Sequence, residues 1–250
     1  MSFPLSITGP FDKWLTPNIT QRAPLGTRMT FPDGRVFRYA KAGATALDIG
    51  KVMQECVVTT GHTKDLVPAA TAIGETVVTL TNATTAVTAN MYAEGYLFVN
   101  AGPGVGQTCT IKSHPAEATG IGNYCVTLEP EDALQVALVA ATSKIGVRKN
   151  LYKDIVVAAI AKTGPPIGVT PSAVTEEYYF WLQTWGPCAV LTNGTVIRAL
   201  AVGPSGTTAG AVDVYPLNSV DASGQEPAIG WVMSVAATTE YSLVFLTIAP

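Results

Sequence analysis

Residues 176–202 read EEYYFWLQTWGPCAVLTNGTVIRALAV, and the fold class turns on them. Tyr178, Tyr179, Phe180, Trp181, Leu182 and Trp185 crowd aromatic and other β-favouring side chains into eight positions. Such side chains suit a pleated, half-buried surface, so the run predicts a strand. Gly186-Pro187 predicts its end, because proline has no N–H for a ladder. Residues 188–192 read as a short apolar strand. Asn193-Gly194 then supplies a two-residue hairpin signal, since a type I′ turn needs positive φ at both positions. Residues 195–202 read as the returning partner strand. Nothing elsewhere in the chain reads as a helix with comparable strength.

Working outward, the same grammar recurs. Phe31-Pro32-Asp33-Gly34 predicts a tight turn. An alternating strand follows over 36–40, with Val36, Arg38 and Ala40 on one side and Phe37 and Tyr39 on the other. Strands are expected at 75–80, 81–89, 96–100, 108–113, 124–128, 135–141, 144–147, 150–160, 211–215, 229–236 and 241–248, with turn signals between them. Strands at this spacing predict an all-β protein built as β-sandwich or β-barrel modules. Residues 59–75 read as a linker. Pro4, Pro10, Pro17 and Pro24 forbid a long helix near the start, and apolar residues are scattered among them. This predicts an extended N-terminal arm that docks on its own body, a sister subunit or another protein. The expected organisation is an arm with a short hairpin region at 1–70, one β module at 71–165 and a second at 166–250.

Composition points toward partners. Of 250 residues, 48% are hydrophobic and only 13% charged, below the usual quarter. The net charge of −3 hides a gradient. Residues 1–70 carry eight Lys/Arg against five acids, and residues 166–250 carry one against six. A basic start and an acidic end favour association with an acidic surface at one end. Arg22, Arg28, Arg35, Arg38 and Lys41 are too few and too spread to call for nucleic acid. No run reaches eighteen apolar residues, so no membrane-spanning helix is expected, and 1–10 lacks the features of a signal peptide.

The residues give little chemistry. Cys56, Cys109, Cys125 and Cys188 form no C-x-x-C pair, and His62 and His114 are far apart, so no structural metal site is expected. Cys109 and Cys125 lie on strands that can pair, although free thiols are the commoner outcome. Gly102-Pro-Gly-Val-Gly-Gln107 lacks the G-K-[ST] ending and precedes a strand, so it reads as a glycine hairpin and not a phosphate loop. Glu129-Pro-Glu-Asp132 reads as a turn. No catalytic residue and no cofactor is expected. The aromatic residues Tyr179, Trp181, Trp185 and Trp231 divide between core and a subunit interface, with a sugar-stacking face as the alternative.

The order of motifs resembles a family. Asp33-Gly-Arg-Val-Phe-Arg-Tyr-Ala-Lys-Ala-Gly43 followed by Ala46-Leu-x-x-Gly-Lys51 is similar to the start of structural proteins of tailed phages, marine ones especially. Glu94-Gly-Tyr-Leu-Phe-Val99, Gly102-x-Gly-x-Gly-Gln107, Ile111-Lys112 and Thr127-Leu128 continue the likeness. So do Asn150-Leu-Tyr-Lys153, Pro165-Pro-Ile-Gly-Val169 and Tyr179-x-Trp-x-Gln-Thr-x-Gly-Pro187. The resemblance spans 25–250. It implies a capsid decoration (cement) protein or a related minor virion protein, made in the host cytoplasm and carried on the outer capsid surface. It further implies a homotrimer seated on the major capsid protein, and it brings no catalytic residues. Candidate capsid contacts are Phe11, Trp14, Arg22, Arg28, Arg35, Arg38 and Lys41. The alternative is a head-fibre or tail component that binds glycans through its aromatic face. A glycan-active enzyme is the third possibility, and the scarcity of histidine weighs against it.

Overall fold

The computed structural model describes residues 6–10, 13–82, 85–118, 122–161, 163–215, 227–237 and 240–250. It is 2% helical and 42% strand, with two sheets, so the class is all-β. Two compact units divide the chain. Unit 1 takes residues 1–57 and 151–250, and unit 2 takes 58–150. The expected division at 70/71 and 165/166 differs from this one. The second unit is an insertion within the sequence of the first, because the strand after the Asp33-Gly34 turn pairs with the aromatic strand far downstream.

Unit 1 begins with β1 (Ser6–Thr8), β2 (Arg28–Thr30), β3 (Val36–Lys41) and β4 (Val52–Gln54). Unit 2 contains β5 (Val77–Asn82), β6 (Tyr96–Ala101), β7 (Thr108–Ser113), β8 (Gly122–Leu128) and β9 (Lys144–Arg148). Unit 1 resumes with β10 (Val156–Val157), β11 (Pro166–Val169), β12 (Tyr179–Leu191), β13 (Ala201–Pro204), β14 (Val212–Val214), β15 (Gly230–Ser234) and β16 (Tyr241–Thr247).

Unit 2 is the simpler of the two. Its strands run in the order β5-β8-β7-β6-β9, all antiparallel. The two edges meet through the segment expected to be a linker. Leu66 exchanges both backbone bonds with Ile145 on β9 (2.9 and 3.0 Å). One step on, Thr81 N–H donates to Val67 O and Ala69 N–H to Thr79 O on β5. Residues 66–69 therefore act as a sixth stave that closes the sheet into a barrel, which leaves neither β5 nor β9 as a free edge. Alternate side chains fill the interior, including Val78, Leu80, Leu97, Ile111, Val126 and Leu128.

Unit 1 is built on β12. The path is β1-β2-β3-β12-β16-β15-β13-β14, with β11, β4 and β10 attached beside it. The first half of β12 pairs with β3 from Tyr179↔Lys41 to Trp185↔Val36. Both of its faces are buried there. Phe180 and Leu182 join one core with Leu47, Met53 and Ile167, while Trp181 joins another with Met29, Phe37 and Tyr39. The second half pairs with β16 from Trp185↔Thr247 to Leu191↔Tyr241. Its Cys188 and Val190 enter a third core with β4, β11, β13 and β15. Of the expected arm, Ser6–Thr8 pairs in parallel with β2, and Asn18 N–H donates to Tyr179 O at 2.8 Å.

Two expectations about 176–202 are corrected. Gly186-Pro187 does not end the aromatic strand, and β12 runs thirteen residues through it. Gly186 takes φ +87 beside a register shift between Gln183 and Trp185, so the strand bends where it passes from β3 to β16. Leu191 N–H donates away from β16, to Gly50 O at 2.8 Å. By the two-residue period of a strand, position 187 also points its amide away from β16. Proline thus occupies a site where that ladder needs no N–H. Asn193-Gly194, in turn, forms no type I′ hairpin, because only Gly194 of the pair has positive φ. The Asn193 amide instead ties down a later loop. Its Nδ2 donates to Thr207 Oγ1 (2.7 Å) and Asp213 Oδ1 (3.1 Å), and its Oδ1 accepts from Thr208 Oγ1 (2.8 Å). Residues 195–200 are a loop, and β13 pairs with β14 and β15 rather than with β12.

Candidate functional site

The strand alternation that buries Cys188, Val190, Ser242, Val244 and Leu246 turns their neighbours outward. The outward row on β12 is Trp185, Pro187, Ala189 and Leu191. Opposite it on β16 stand Thr247, Phe245, Leu243 and Tyr241. Trp231 on β15 pairs with Phe245 from the other side. Three rings form a ladder across these strands. Trp185 meets Phe245 edge-on (centroids 5.7 Å, 79°), and Trp231 lies flat on Phe245 (5.2 Å, 10°). Trp231 remains 42% exposed, with Tyr241 and Leu243 also exposed. None of these positions carries a charge. Exposed apolar side chains gathered on one sheet face mark an interaction surface more often than chance.

The four aromatic candidates therefore separate. Trp181 is core, 5% exposed and packed on Tyr39 (5.0 Å). Tyr179 is half-buried and stacks on the Tyr39 ring. Trp185 and Trp231 belong to the outward ladder.

The basic candidates do not form one patch. Arg22 is exposed. The Arg35 guanidinium pairs with Asp33 (2.7 Å) and lies over the Phe31 and Phe37 rings. Burial works against ionisation of Asp33, but hydrogen bonds and charge from Arg35 prevail and hold its carboxyl below the usual range. Lys41 Nζ contacts Asp154 and Glu177. Arg28 and Arg38 stand directly opposite each other on β2 and β3. Arg38 reaches Gly26 O and Pro250 O, yet the buried Nε atoms of both arginines have no partner among the described residues. Like charges facing across strands are unfavourable, and an anion from outside would relieve them. Phe11 and the Trp14 side chain lie outside the described residues.

A cavity of about 290 Å³ adjoins the outward face, lined among others by Arg35, Ile49, Gln183, Pro187, Cys188 and Tyr241. Burial pushes the Cys188 thiol up to about 12, against the opposing charge of Arg35.

Inside the barrel, the two histidines come together with two tyrosines. Tyr92 OH lies 2.6 Å from His62 Nδ1. His114 Nε2 accepts from the Tyr92 N–H (2.9 Å), and its Nδ1 lies 2.9 Å from Pro115 O. The two bonds fix His114 as the neutral Nδ1–H form, a structural role. Burial raises the Tyr124 hydroxyl pKa. The contacts of both histidines with Tyr92 were hidden in the sequence by their separation of 52 positions, and the fold of unit 2 creates them.

The glycine hairpin is as read. Gly102, Gly104 and Gly106 have positive φ, and the N–H groups of Val105, Gly106 and Gln107 are spent on the turn itself. Asp132 accepts from Thr110 N–H at 2.6 Å, which ties the acidic turn to β7. Cys109 points into the barrel and Cys125 out of it, so both are free. Among the described residues no group of three or more His, Cys, Asp or Glu is placed to hold a metal, and no helix is long and apolar enough to cross a membrane.

Comparison with family models, with curated proteins and with solved structures found no match in any of the three.

Proposed function

We propose that the chain is a virion structural protein that binds the outside of a phage head and stabilises it, acting as a homo-oligomer. The observation that carries this reading is the uncharged ring ladder of Trp185, Phe245 and Trp231 on the outward face of β12, β16 and β15. A second copy covers that face, and the oligomer seats on the shell. The opposed Arg28 and Arg38 supply the contact to carboxylates of the major capsid protein. Stabilisation follows by linkage, because a ligand that binds only the assembled shell makes its disassembly costlier. Many copies, each joined by several contacts, add avidity.

Co-sedimentation with mature heads tests this. Saturable binding to mature heads, weaker to unexpanded procapsids and weakened by Arg28→Ser, is the expected result. No binding to either particle would remove the head from the account.

A second reading is favoured by one feature, the flat exposed Trp231 ring, which is suited to stacking on a sugar. In that case the chain is a head-fibre or tail component that adheres to glycans. Binding to host polysaccharide that disappears in Trp231→Ala, with the oligomer intact, would select it.

A further inference from the structure

Lys41 ends β3 between two carboxylates from distant parts of unit 1. Its Nζ lies 3.1 Å from Asp154 Oδ1 and in direct contact with Glu177 Oε2. The lysine side chain is 17% exposed and that of Asp154 22%. Backbone bonds grip both carboxylate-bearing segments against the lysine. Lys41 N–H donates to Tyr152 O and Ile155 N–H donates to Lys41 O, which clamps the Asp154 turn. Ala42 N–H donates to Tyr178 O and Glu177 N–H to Gly43 O, which clamps the other. Asp154 and Glu177 both take the left-handed backbone of turns, φ +53 and +63, as do Asp65, Asn90, Glu94, Ala141 and Ala199 among the described non-glycine residues.

We propose that Lys41 and Asp154 become joined by an amide bond, with Glu177 carrying the protons. An amine and a carboxyl held in contact react as neighbours within one molecule, at a high effective concentration. Burial acts to lower the Lys41 pKa, but its bond to Glu177 and the charges of both carboxylates outweigh burial and raise it. The ammonium is therefore charged at rest, and the proton has to be moved inside the triad. Glu177 takes one ammonium proton and passes it to the Asp154 carboxylate. The neutral Nζ attacks Asp154 Cγ. Glu177 then moves a second nitrogen proton to a hydroxyl on that carbon. The Nζ–Cγ bond forms, a Cγ–O bond breaks, one water leaves, and Glu177 ends as it began. Nothing is oxidised or reduced. The link joins residues 113 apart and closes a covalent loop around the sequence of unit 2. It is independent of what the protein attaches to.

The test is the intact mass of the folded full chain, followed by tryptic mapping. The expected mass is one water below that of the sequence. Trypsin fails to cut after Lys41, and a branched peptide contains residues 41 and 154. Lys41→Arg keeps the ion pairs and returns the full mass, and Glu177→Gln slows the loss of water. A succinimide at Asp33-Gly34 also loses one water, but it survives in Lys41→Arg and gives no branched peptide. Full sequence mass after prolonged incubation of the folded protein, or a water loss that persists in Lys41→Arg, overturns the proposal.

Discussion

The two units differ in what they turn outward. Unit 2 closes its sheet with residues 66–69, so its edges pair and one set of side chains fills a single core, while Ile73, Val77, Tyr96, Val105, Val136 and Val139 stay exposed. Its strands alternate, as on β6, where Leu97 and Val99 are buried and Tyr96 is exposed. Unit 1 branches instead. Its far strands are tied back, since Asn193 N–H donates to Val212 O and Val52 N–H to Gly210 O, but β3, β2 and β1 run out from β12 to an edge. The central strand is buried on both faces over Phe180, Trp181 and Leu182, and then presents Trp185 outward beside Phe245 of β16 and Trp231 of β15. In unit 2 the ring contacts among the described residues, of His62, Tyr92, His114 and Tyr124, are buried. In unit 1 a ring ladder lies on an uncharged outward face, a surface suited to a partner. The proposed attachment is therefore sought there.

The largest expected effect lies in the closed unit. Leu97 is fully buried in the barrel core. Leu97→Ala is expected to cost about 2–5 kcal/mol, seen as a lower urea midpoint with unchanged slope. A midpoint within error of the parent would mean that the barrel is not the packed body described.

Next comes thiol chemistry, which reports on both units at once. Cys125 faces outward on β8, while Cys109 is inside the barrel and Cys188 inside unit 1. Burial first, and then Asp132, raises the Cys109 thiol pKa, and burial carries Cys188 to about 12. A raised thiol pKa leaves the unreactive protonated form dominant until the pH approaches that value. Native protein is expected to label at Cys125 and to spare Cys109 and Cys188, still so at mildly alkaline pH. Fast labelling of Cys188 would show that unit 1 opens.

The smallest effect is the sharpest check on β12. Pro187→Ala adds an N–H that points away from β16. A change within about 0.5 kcal/mol is expected from thermal unfolding. A large stabilisation would mean that the proline had been interrupting the ladder after all.

Much of this architecture was legible in the sequence, and unevenly so. The strand over 36–40 and most of the barrel strands could be read, because apolar alternation and Gly or Asp-Gly turns are local signals, whereas 135–141 is turn and loop rather than the expected strand and 150–160 keeps only β10 of it. The passage of β12 through Gly186-Pro187 could not. Whether a proline breaks a ladder depends on which way its amide points, and that is set by pairing with β16, far downstream. Asn193-Gly194 has the composition of a hairpin, yet its side chain is captured by Thr207, Thr208 and Asp213. Residues 66–69 carry Pro68 and too few alternating positions to announce a stave. In the candidate site, Trp231 was visible as an aromatic residue, but not its stacking on Phe245. The meeting of Lys41 with Asp154 and Glu177, 113 and 136 residues away, has no local signature at all.

The central claim is that the outward face of β12, β16 and β15 is covered by another copy of the chain. Sedimentation velocity of the full chain beside a Trp231→Ser, Leu243→Ser double variant tests it most directly. The account predicts an oligomer for the parent and a monomer for the variant, with matching far-UV circular dichroism. A parent that sediments as a monomer at micromolar concentration, or a variant that keeps the oligomer, would contradict it.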